Sequence, residues 1–151
     1  PCPMPTPLRH RNLPHLLLRA RDTLMAQFRP LLGAHGLTEQ QWRILRELLE
    51  QGPQEPRQLS DACSISSPSI AGVLLRLEET GLVARERMAH DQRRVRVSLT
   101  PRSRQIAEAL VPLIEARYAQ LERTLGVDAM QEVYDALDAL LARAPAPDVA
   151  E

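Results

Sequence analysis

The stretch SISSPSIAGVLLRLEETGLVARERMAHDQRRVRVSLT, residues 64–100, changes its hydrophobic period at Gly81. Before Gly81 the apolar residues recur every three or four positions, which is the spacing of one face of an α-helix. After Gly81 apolar and charged residues alternate, which is the spacing of half-buried β-strands. We therefore expect a helix followed directly by a β-hairpin, with residues 89–93 at the tip of the hairpin.

The helix before this hairpin has a partner helix on its N-terminal side. Ser67 is expected to cap the helix, and Pro68 suits its first turn, where a missing N–H costs nothing. A shorter helix from about Pro56 to Cys63 precedes it, and residues 64–66 form the turn between the two. Two short helices joined by a brief turn predict a helix-turn-helix, and the hairpin that follows completes the layout of a winged helix.

Two further helices are predicted before the helix-turn-helix. Asn12 is a good cap for the first, which we expect to kink at Pro30 and to end at residues 33–36, where two glycines lie. The second opens at Thr38, which with Gln41 forms a capping box. Aromatic residues make up only 3% of the chain, so the core must be built mostly from Leu, Ile, Val and Ala, a composition that favours helices.

Two more helices are predicted after the hairpin. The first runs from Pro101 to about Leu125, and the second ends near Arg143. We expect a second capping box at Asp128 and Gln131. The last helix carries a regular apolar stripe of Met130, Val133, Tyr134, Leu137, Leu140 and Leu141.

Positive charge is concentrated in the predicted hairpin. The chain has a net charge of zero, yet residues 85–96 contain five arginines, and residues 57–104 contain nine arginines against five acidic residues. Residues 122–151 contain seven acidic residues against two arginines. Charge on a solvated hairpin can simply prevent edge-to-edge aggregation. Directly after a helix-turn-helix, arginines can instead reach phosphates or enter a narrow minor groove, so the position favours DNA binding.

Several other classes of protein are disfavoured. No apolar run approaches the roughly 20 residues of a membrane span, and no signal peptide precedes the first predicted helix, so we expect a cytoplasmic protein. Cys2 and Cys63 are expected to be reduced thiols. The four histidines lack metal-ligand spacing, and neither a phosphate-binding loop nor a GxSxG motif is present. We therefore predict no metal, no cofactor and no enzymatic activity.

The segment LEETGLVARERMAHDQRRVRVSLT, residues 77–100, resembles the signature stretch of the MarR family of winged helix-turn-helix transcription regulators. That signature has a leucine and an acid before Gly-Leu-Val, then Arg, Asp-x-Arg and Leu-Thr. FRPLL at residues 28–32 and LTEQQWRILREL at residues 37–48 are similar to the HpaR-like subgroup, the regulators of homoprotocatechuate-degradation operons. The resemblance covers nearly the whole chain.

The resemblance implies a mainly α fold, namely a winged helix-turn-helix with a small β-hairpin wing. It also implies a helical dimerisation domain formed by the N- and C-terminal helices, with the apolar stripe of the last helix against the partner subunit. The implied regions are the dimerisation region at 13–36 and 101–143 and the DNA-binding region at 37–100. The composition of the two ends predicts a mobile arm at 1–12 and a frayed tail at 144–151.

The resemblance also implies a DNA-binding surface. Asp91 and Arg93 fall on the family's wing-tip pair, in which the carboxylate braces the arginine that enters the minor groove. Ala71 and Gly72 depart from the polar or basic residues frequent at their positions, so contacts with thymine methyl groups and close backbone approach gain weight. The implied DNA-binding set is Ser66, Ser67, Ser69, Ala71, Gly72, Arg76, Arg85, Arg87, Asp91, Arg93 and Arg94.

The implied function is that of a homodimeric repressor on a palindromic double-stranded operator, released by a small hydroxylated aromatic acid. Homoprotocatechuate, a hydroxyphenylacetate or a hydroxypyridine carboxylate fits this description. A carboxylate needs cationic or hydrogen-bonding partners and its ring an apolar slot. The candidates are His15, Arg19, Arg21, Arg43 and Arg46 for the acid, and Met25, Phe28 and Trp42 for the ring.

Two alternatives remain open at the level of sequence. The first is a redox-sensing regulator of the same fold that uses Cys63. The second is a module that binds small molecules or proteins and does not bind DNA.

Overall fold

Residues 7–145, which the computed structural model describes, form six helices and one two-stranded antiparallel sheet. The predicted mainly helical fold with a small hairpin wing is therefore confirmed. Most of the predicted arm and tail, residues 1–6 and 146–151, lies outside the described residues. The elements are α1 (Leu13–Ala34), α2 (Glu39–Gln51), α3 (Pro56–Cys63), α4 (Ser67–Glu79), β1 (Val83–Met88), β2 (Asp91–Leu99), α5 (Pro101–Leu125) and α6 (Val127–Arg143).

The chain divides into two compact units, with the boundary inside α5 between Val111 and Pro112. In the first unit α2, α3 and α4 pack against one another, and the hairpin packs against them through β1 and β2. Its core consists mostly of aliphatic side chains, as the scarcity of aromatic residues predicts. The fully buried members include Ile44, Leu45, Leu59, Leu74, Leu77 and Val97.

Local capping explains where α1 and α2 begin. The Asn12 side chain accepts a hydrogen bond from the His15 backbone N–H at 3.0 Å. Thr38 and Gln41 bond reciprocally, at 3.1 and 3.2 Å, and form the predicted capping box. α1 continues four residues past Pro30 before the chain turns at Gly36, whose φ of 71° favours glycine.

The helix-turn-helix is formed as predicted, but the cap of α4 is one residue earlier than expected. Ser64 ends α3 in the left-handed region at φ 52°, and Ile65 is buried beneath the turn. Ser66 has the extended backbone of an N-cap, and its carbonyl oxygen accepts from the Ile70 N–H at 2.8 Å. Ser67 is therefore the first helical residue. The prediction failed because the adjacent Ser66 and Ser67 are equally good caps by residue type.

The hairpin tip is shorter than predicted, because only Ala89 and His90 lie between the strands. The pairing is irregular beyond Arg87, which pairs with Val95, whereas Met88 pairs with Asp91. Three extra residues of β2 are thus accommodated in a bulge, which sequence periodicity does not reveal. The predicted alternation is confirmed on β2, where Val97 is buried and its charged neighbours toward the tip are exposed.

A third segment pairs with the hairpin. Gln54, in the linker between α2 and α3, exchanges two main-chain hydrogen bonds with Val97, at 3.0 and 2.7 Å. This bridge attaches β2 to the helix-turn-helix at one point.

The second unit contains the rest of α5 and all of α6. α6 begins at Val127, directly after Gly126, whose φ of 93° makes a tight turn, and the Gly126 carbonyl oxygen accepts from the Met130 N–H at 3.1 Å. The predicted capping box of Asp128 and Gln131 is wrong, because both residues lie inside the helix, where Gln131 donates to Asp135 at 2.9 Å.

Within α6, all of whose residues are described, none is buried in this chain. The exposed apolar side chains are Val127, Val133, Tyr134, Leu140 and Leu141. Across the described part of the chain, no helix is long and apolar enough to cross a membrane.

Candidate functional site

The exposed face of α4 carries the residues predicted to face DNA. Ile70, Leu74 and Leu77 anchor the opposite face in the core. The predicted residues of this helix and its cap are all exposed, namely Ser66, Ser67, Ser69, Ala71, Gly72 and Arg76. Leu75, which the sequence analysis did not single out, is 52% exposed on the same helix.

Gly72 is not required by the packing of the protein. It lies in the interior of α4, and a Cβ built on it meets nothing within 4 Å. Its φ is outside the positive range that would favour glycine. Because glycine in a helix interior costs about 0.5–1 kcal/mol relative to alanine, a reason outside the folded chain is indicated.

The wing tip is held by hydrogen bonds between its own side chains and its backbone. Asp91 accepts a hydrogen bond from the backbone N–H of Arg93 at 3.0 Å, so its carboxylate orders the main chain at the tip. The family resemblance implied instead that the Asp91 carboxylate braces the side chain of Arg93. Arg87 donates from Nη1 to the Gln92 carbonyl oxygen across the hairpin.

Two wing arginines are held by carboxylates of the helices. Arg85 pairs through Nε with Glu78 of α4 at 3.0 Å, and Arg94 pairs with Glu55 at the start of α3. Hydrogen bonding to Arg94 lowers the pKa of Glu55, and the same bond raises the pKa of Arg94. Both arginines were predicted to face DNA. Sequence reasoning missed their partners, because each pair joins a strand of the wing to a different element.

The remaining arginines of the predicted set keep their charge available. Within residues 7–145, Arg76, Arg87 and Arg93 form no ion pair with a carboxylate. All three are exposed. The site thus presents unneutralised guanidinium groups on α4 and on the wing, which is the arrangement that attracts a polyanion.

The predicted effector residues lie on α1 and α2 in different environments. Trp42 and Phe28 are buried, and Met25 is partly buried. His15 and Arg19 are exposed near the start of α1.

Three arginines converge on Glu39, at the start of α2. Arg21 forms an ion pair with it, Arg43 approaches it at 3.4 Å and Arg29 at 4.0 Å. Sequence reasoning missed both Glu39 and Arg29, because which side chains of α1 meet Glu39 depends on how the two helices pack. Arg46, another predicted effector residue, pairs with Glu50 at 2.8 Å.

Arg43 also joins α2 to α3. Its Nη1 donates to the Cys63 carbonyl oxygen at 2.6 Å, while its Nε is buried without a hydrogen-bond partner among the described residues. One of the guanidinium groups expected to bind an effector carboxylate is therefore engaged at the end of α3.

Cys63 lies in the core, with 4% of its surface exposed. Burial raises the pKa of its thiol, Glu47 raises it further, and Arg43 acts in the opposite direction. Since the thiolate is the reactive form, this environment disfavours the redox-sensing alternative. Across residues 7–145 no three His, Cys, Asp or Glu side chains form a group that could hold a metal ion.

The structure has the elements of a winged helix-turn-helix protein, namely α3, the turn at residues 64–66 (the serine turn), α4 and the basic hairpin. Residues 37–95 match the model of the MarR family. The chain is 40% identical to the HTH-type transcriptional regulator FarR of Neisseria gonorrhoeae, over 89% of this chain and 92% of FarR. It is 37% identical to the homoprotocatechuate degradative operon repressor of Escherichia coli, over 88% of this chain and 90% of the repressor.

A solved structure of NadR in complex with 4-hydroxyphenylacetate is similar in fold, with a TM-score of 0.78 and 39% sequence identity. The match covers 94% of this chain and 100% of that one. The chain therefore belongs to the MarR family of transcription regulators, and these relatives support the HpaR-like subgroup.

Proposed function

We propose that this protein is a repressor that binds a roughly palindromic operator as a homodimer and leaves it when a small hydroxylated aromatic acid binds. Each subunit would place α4 in a major groove and the wing in the adjoining minor groove. The observation that carries this proposal is the set of unneutralised arginines, Arg76 on α4 and Arg87 and Arg93 on the wing, at the exposed side of one unit.

The exposed apolar surface of α6 supports the homodimer. Large apolar side chains left in water are unfavourable, and contiguous ones mark interaction surfaces. Val133 and Leu141 are 55% and 77% exposed in a helix that buries no residue of its own chain. A second copy of the chain would cover this face, and two-fold symmetry would then relate the two recognition helices, which requires a palindromic site.

The named functions of the relatives support the effector class. The Escherichia coli relative is named as a repressor of homoprotocatechuate degradation, and the NadR structure contains 4-hydroxyphenylacetate. Both compounds join a hydroxylated ring to a carboxylate. We place the effector beside α1 and α2, where Trp42 and Met25 offer apolar walls and the arginines near Glu39 offer positive charge.

A binding selection tests the proposal. A random-sequence duplex pool is enriched on the purified protein, and the best selected duplex is titrated across a salt series. We expect an inverted repeat, a dissociation constant that rises steeply with salt, and release by homoprotocatechuate or 4-hydroxyphenylacetate but not by benzoate. If no duplex is enriched, or if binding does not depend on salt, the protein does not act through DNA and the proposal fails.

A further inference from the structure

Arg94 forms an unusually well-defined bond for an exposed wing residue. Its Nε lies 2.7 Å from Glu55 Oε1 and its Nη2 lies 2.8 Å from Glu55 Oε2. Both oxygens of the carboxylate are thus met by two parallel N–H groups of one guanidinium. This two-point geometry fixes direction as well as distance, which a single contact does not.

The bond attaches the wing to the helix-turn-helix at a second point. The first point is the main-chain bridge between Gln54 and Val97. Glu55 is the residue after Gln54, and Arg94 lies three residues closer to the wing tip than Val97. Three residues of strand span roughly 10 Å, so the two attachments together restrict rotation of the hairpin about the bridge.

The bulge gives this second attachment a part in ordering the wing. Beyond Arg87 and its partner Val95 the regular pairing of the hairpin is lost, and residues 92–94 of β2 are extra. The strand that leads to Arg93 is therefore not held by a regular ladder of hydrogen bonds. The Glu55 bond holds the residue directly next to Arg93.

Charge also argues against a direct contact between Arg94 and DNA. A phosphate that captured this guanidinium would leave the Glu55 carboxylate unpaired beside another anion, and like charges at short range are unfavourable. Arg93, in contrast, has no carboxylate partner among the described residues.

We propose that Arg94 is a positioning residue, which through its two-point bond to Glu55 sets the angle at which the wing presents Arg93 to DNA. This inference rests on the proposed DNA-binding function.

The test compares Glu55→Gln with Arg94→Gln on the selected duplex, by fluorescence anisotropy over a salt series. A positioning role predicts that each variant binds the duplex about three- to tenfold more weakly than the wild type. This loss is smaller than the loss expected when a wing arginine that contacts DNA is removed. The double variant should lie within about twofold of the weaker single variant, because both changes break one bond. In an Arg93→Gln background neither change should weaken binding further.

Glu86→Gln is the matched control for Glu55→Gln. It also removes one negative charge, here from the hairpin itself, and it leaves the bond between Glu55 and Arg94 intact. Glu86 lies opposite Arg96 and is exposed. This control should bind DNA as tightly as the wild type or more tightly. Arg94→Lys, which keeps the charge but lacks the two-point geometry, should be impaired like Arg94→Gln.

A phosphate contact by Arg94 predicts the opposite pattern. Glu55→Gln would then bind DNA more tightly, because it frees the guanidinium and removes an anion, and only Arg94→Gln would lower the salt slope, by about one. That result would overturn the positioning role while leaving the DNA-binding function intact. Failure of the wild type to bind any duplex would overturn both.

Without DNA, faster hydrogen exchange at residues 88–93 in Glu55→Gln supports the proposal, and unchanged exchange contradicts it.

Discussion

Replacing Gly72 by alanine should make the protein more stable and a poorer DNA binder. Gly72 is the sixth of the 13 residues of α4, and the added Cβ would meet nothing within 4 Å. Its backbone lies outside the positive-φ range, so alanine is not strained there. The gain expected from helix propensity is about 0.5–1 kcal/mol. For a chain of this size that gain raises Tm by roughly 1–4 °C.

DNA binding should change in the opposite direction. If the glycine lets the backbone of α4 approach a base edge, a methyl group at that contact acts as overpacking, which costs about 1–3 kcal/mol. The dissociation constant for the selected duplex should therefore rise roughly 5- to 150-fold. Binding to a scrambled duplex should change little, because phosphate contacts by the arginines dominate non-specific affinity.

Differential scanning calorimetry and anisotropy titrations measure the two effects on the same preparation. Gly33→Ala is the matched control, since Gly33 lies in α1 and an added Cβ there also meets nothing within 4 Å. The control should bind DNA normally. If Gly72→Ala bound the selected duplex as tightly as the wild type, close approach of α4 at this residue would be wrong.

Three other perturbations probe the wing, the dimer and the effector site. Arg93→Ala should weaken selected and scrambled duplexes together, by about 1–3 kcal/mol, with a shallower salt dependence; unchanged affinity across a salt series would contradict the wing assignment. Leu141→Glu should shift sedimentation from dimer to monomer. The chain should stay folded, because this side chain is 77% exposed within one chain, whereas its burial by a partner contributes about 1.5–3 kcal/mol to the dimer. A variant that remains a dimer would exclude this face as the dimer interface. Isothermal titration with 4-hydroxyphenylacetate should show weaker binding for Arg43→Ala and His15→Ala than for the wild type. In the wild type the ligand should weaken DNA binding by about 1–3 kcal/mol of coupling free energy. Normal ligand binding and normal DNA release in both variants would place the pocket elsewhere.

Patterns local in sequence predicted the helices and the turn well. The capping box of Thr38 and Gln41 and the proline at the start of α3 act over three or four residues, so their effect is visible in the sequence. The same rule failed at Asp128 and Gln131. There Gly126 permits a turn tight enough for α6 to begin one residue after α5 ends, and the capping pattern became part of the helix.

Contacts between distant residues decided what the sequence could not. The family resemblance placed Arg85 and Arg94 among the expected DNA contacts, but it did not show that a carboxylate 39 residues before Arg94 binds its guanidinium. Which of several arginines retains an available charge depends on the tertiary neighbours of each. Residue type shows that the wing is basic, and the fold selects the arginines that remain unpaired.

The two connections of α2 have a mechanical consequence. Near its start, Arg43 bonds the last carbonyl group of α3, directly before the serine turn, and just after its end, Gln54 bonds β2. Arg43 lies eight residues before Gln51, the last residue of α2, and Gln54 lies three residues beyond that end, so roughly 12 Å of helix and a short linker separate the two bonds. A tilt of α2 therefore acts as a lever that moves the turn before α4 and the root of the wing at the same time. The start of α4 and the root of the wing are therefore expected to move together, and under the proposed function a small molecule bound against α2 would release both from DNA.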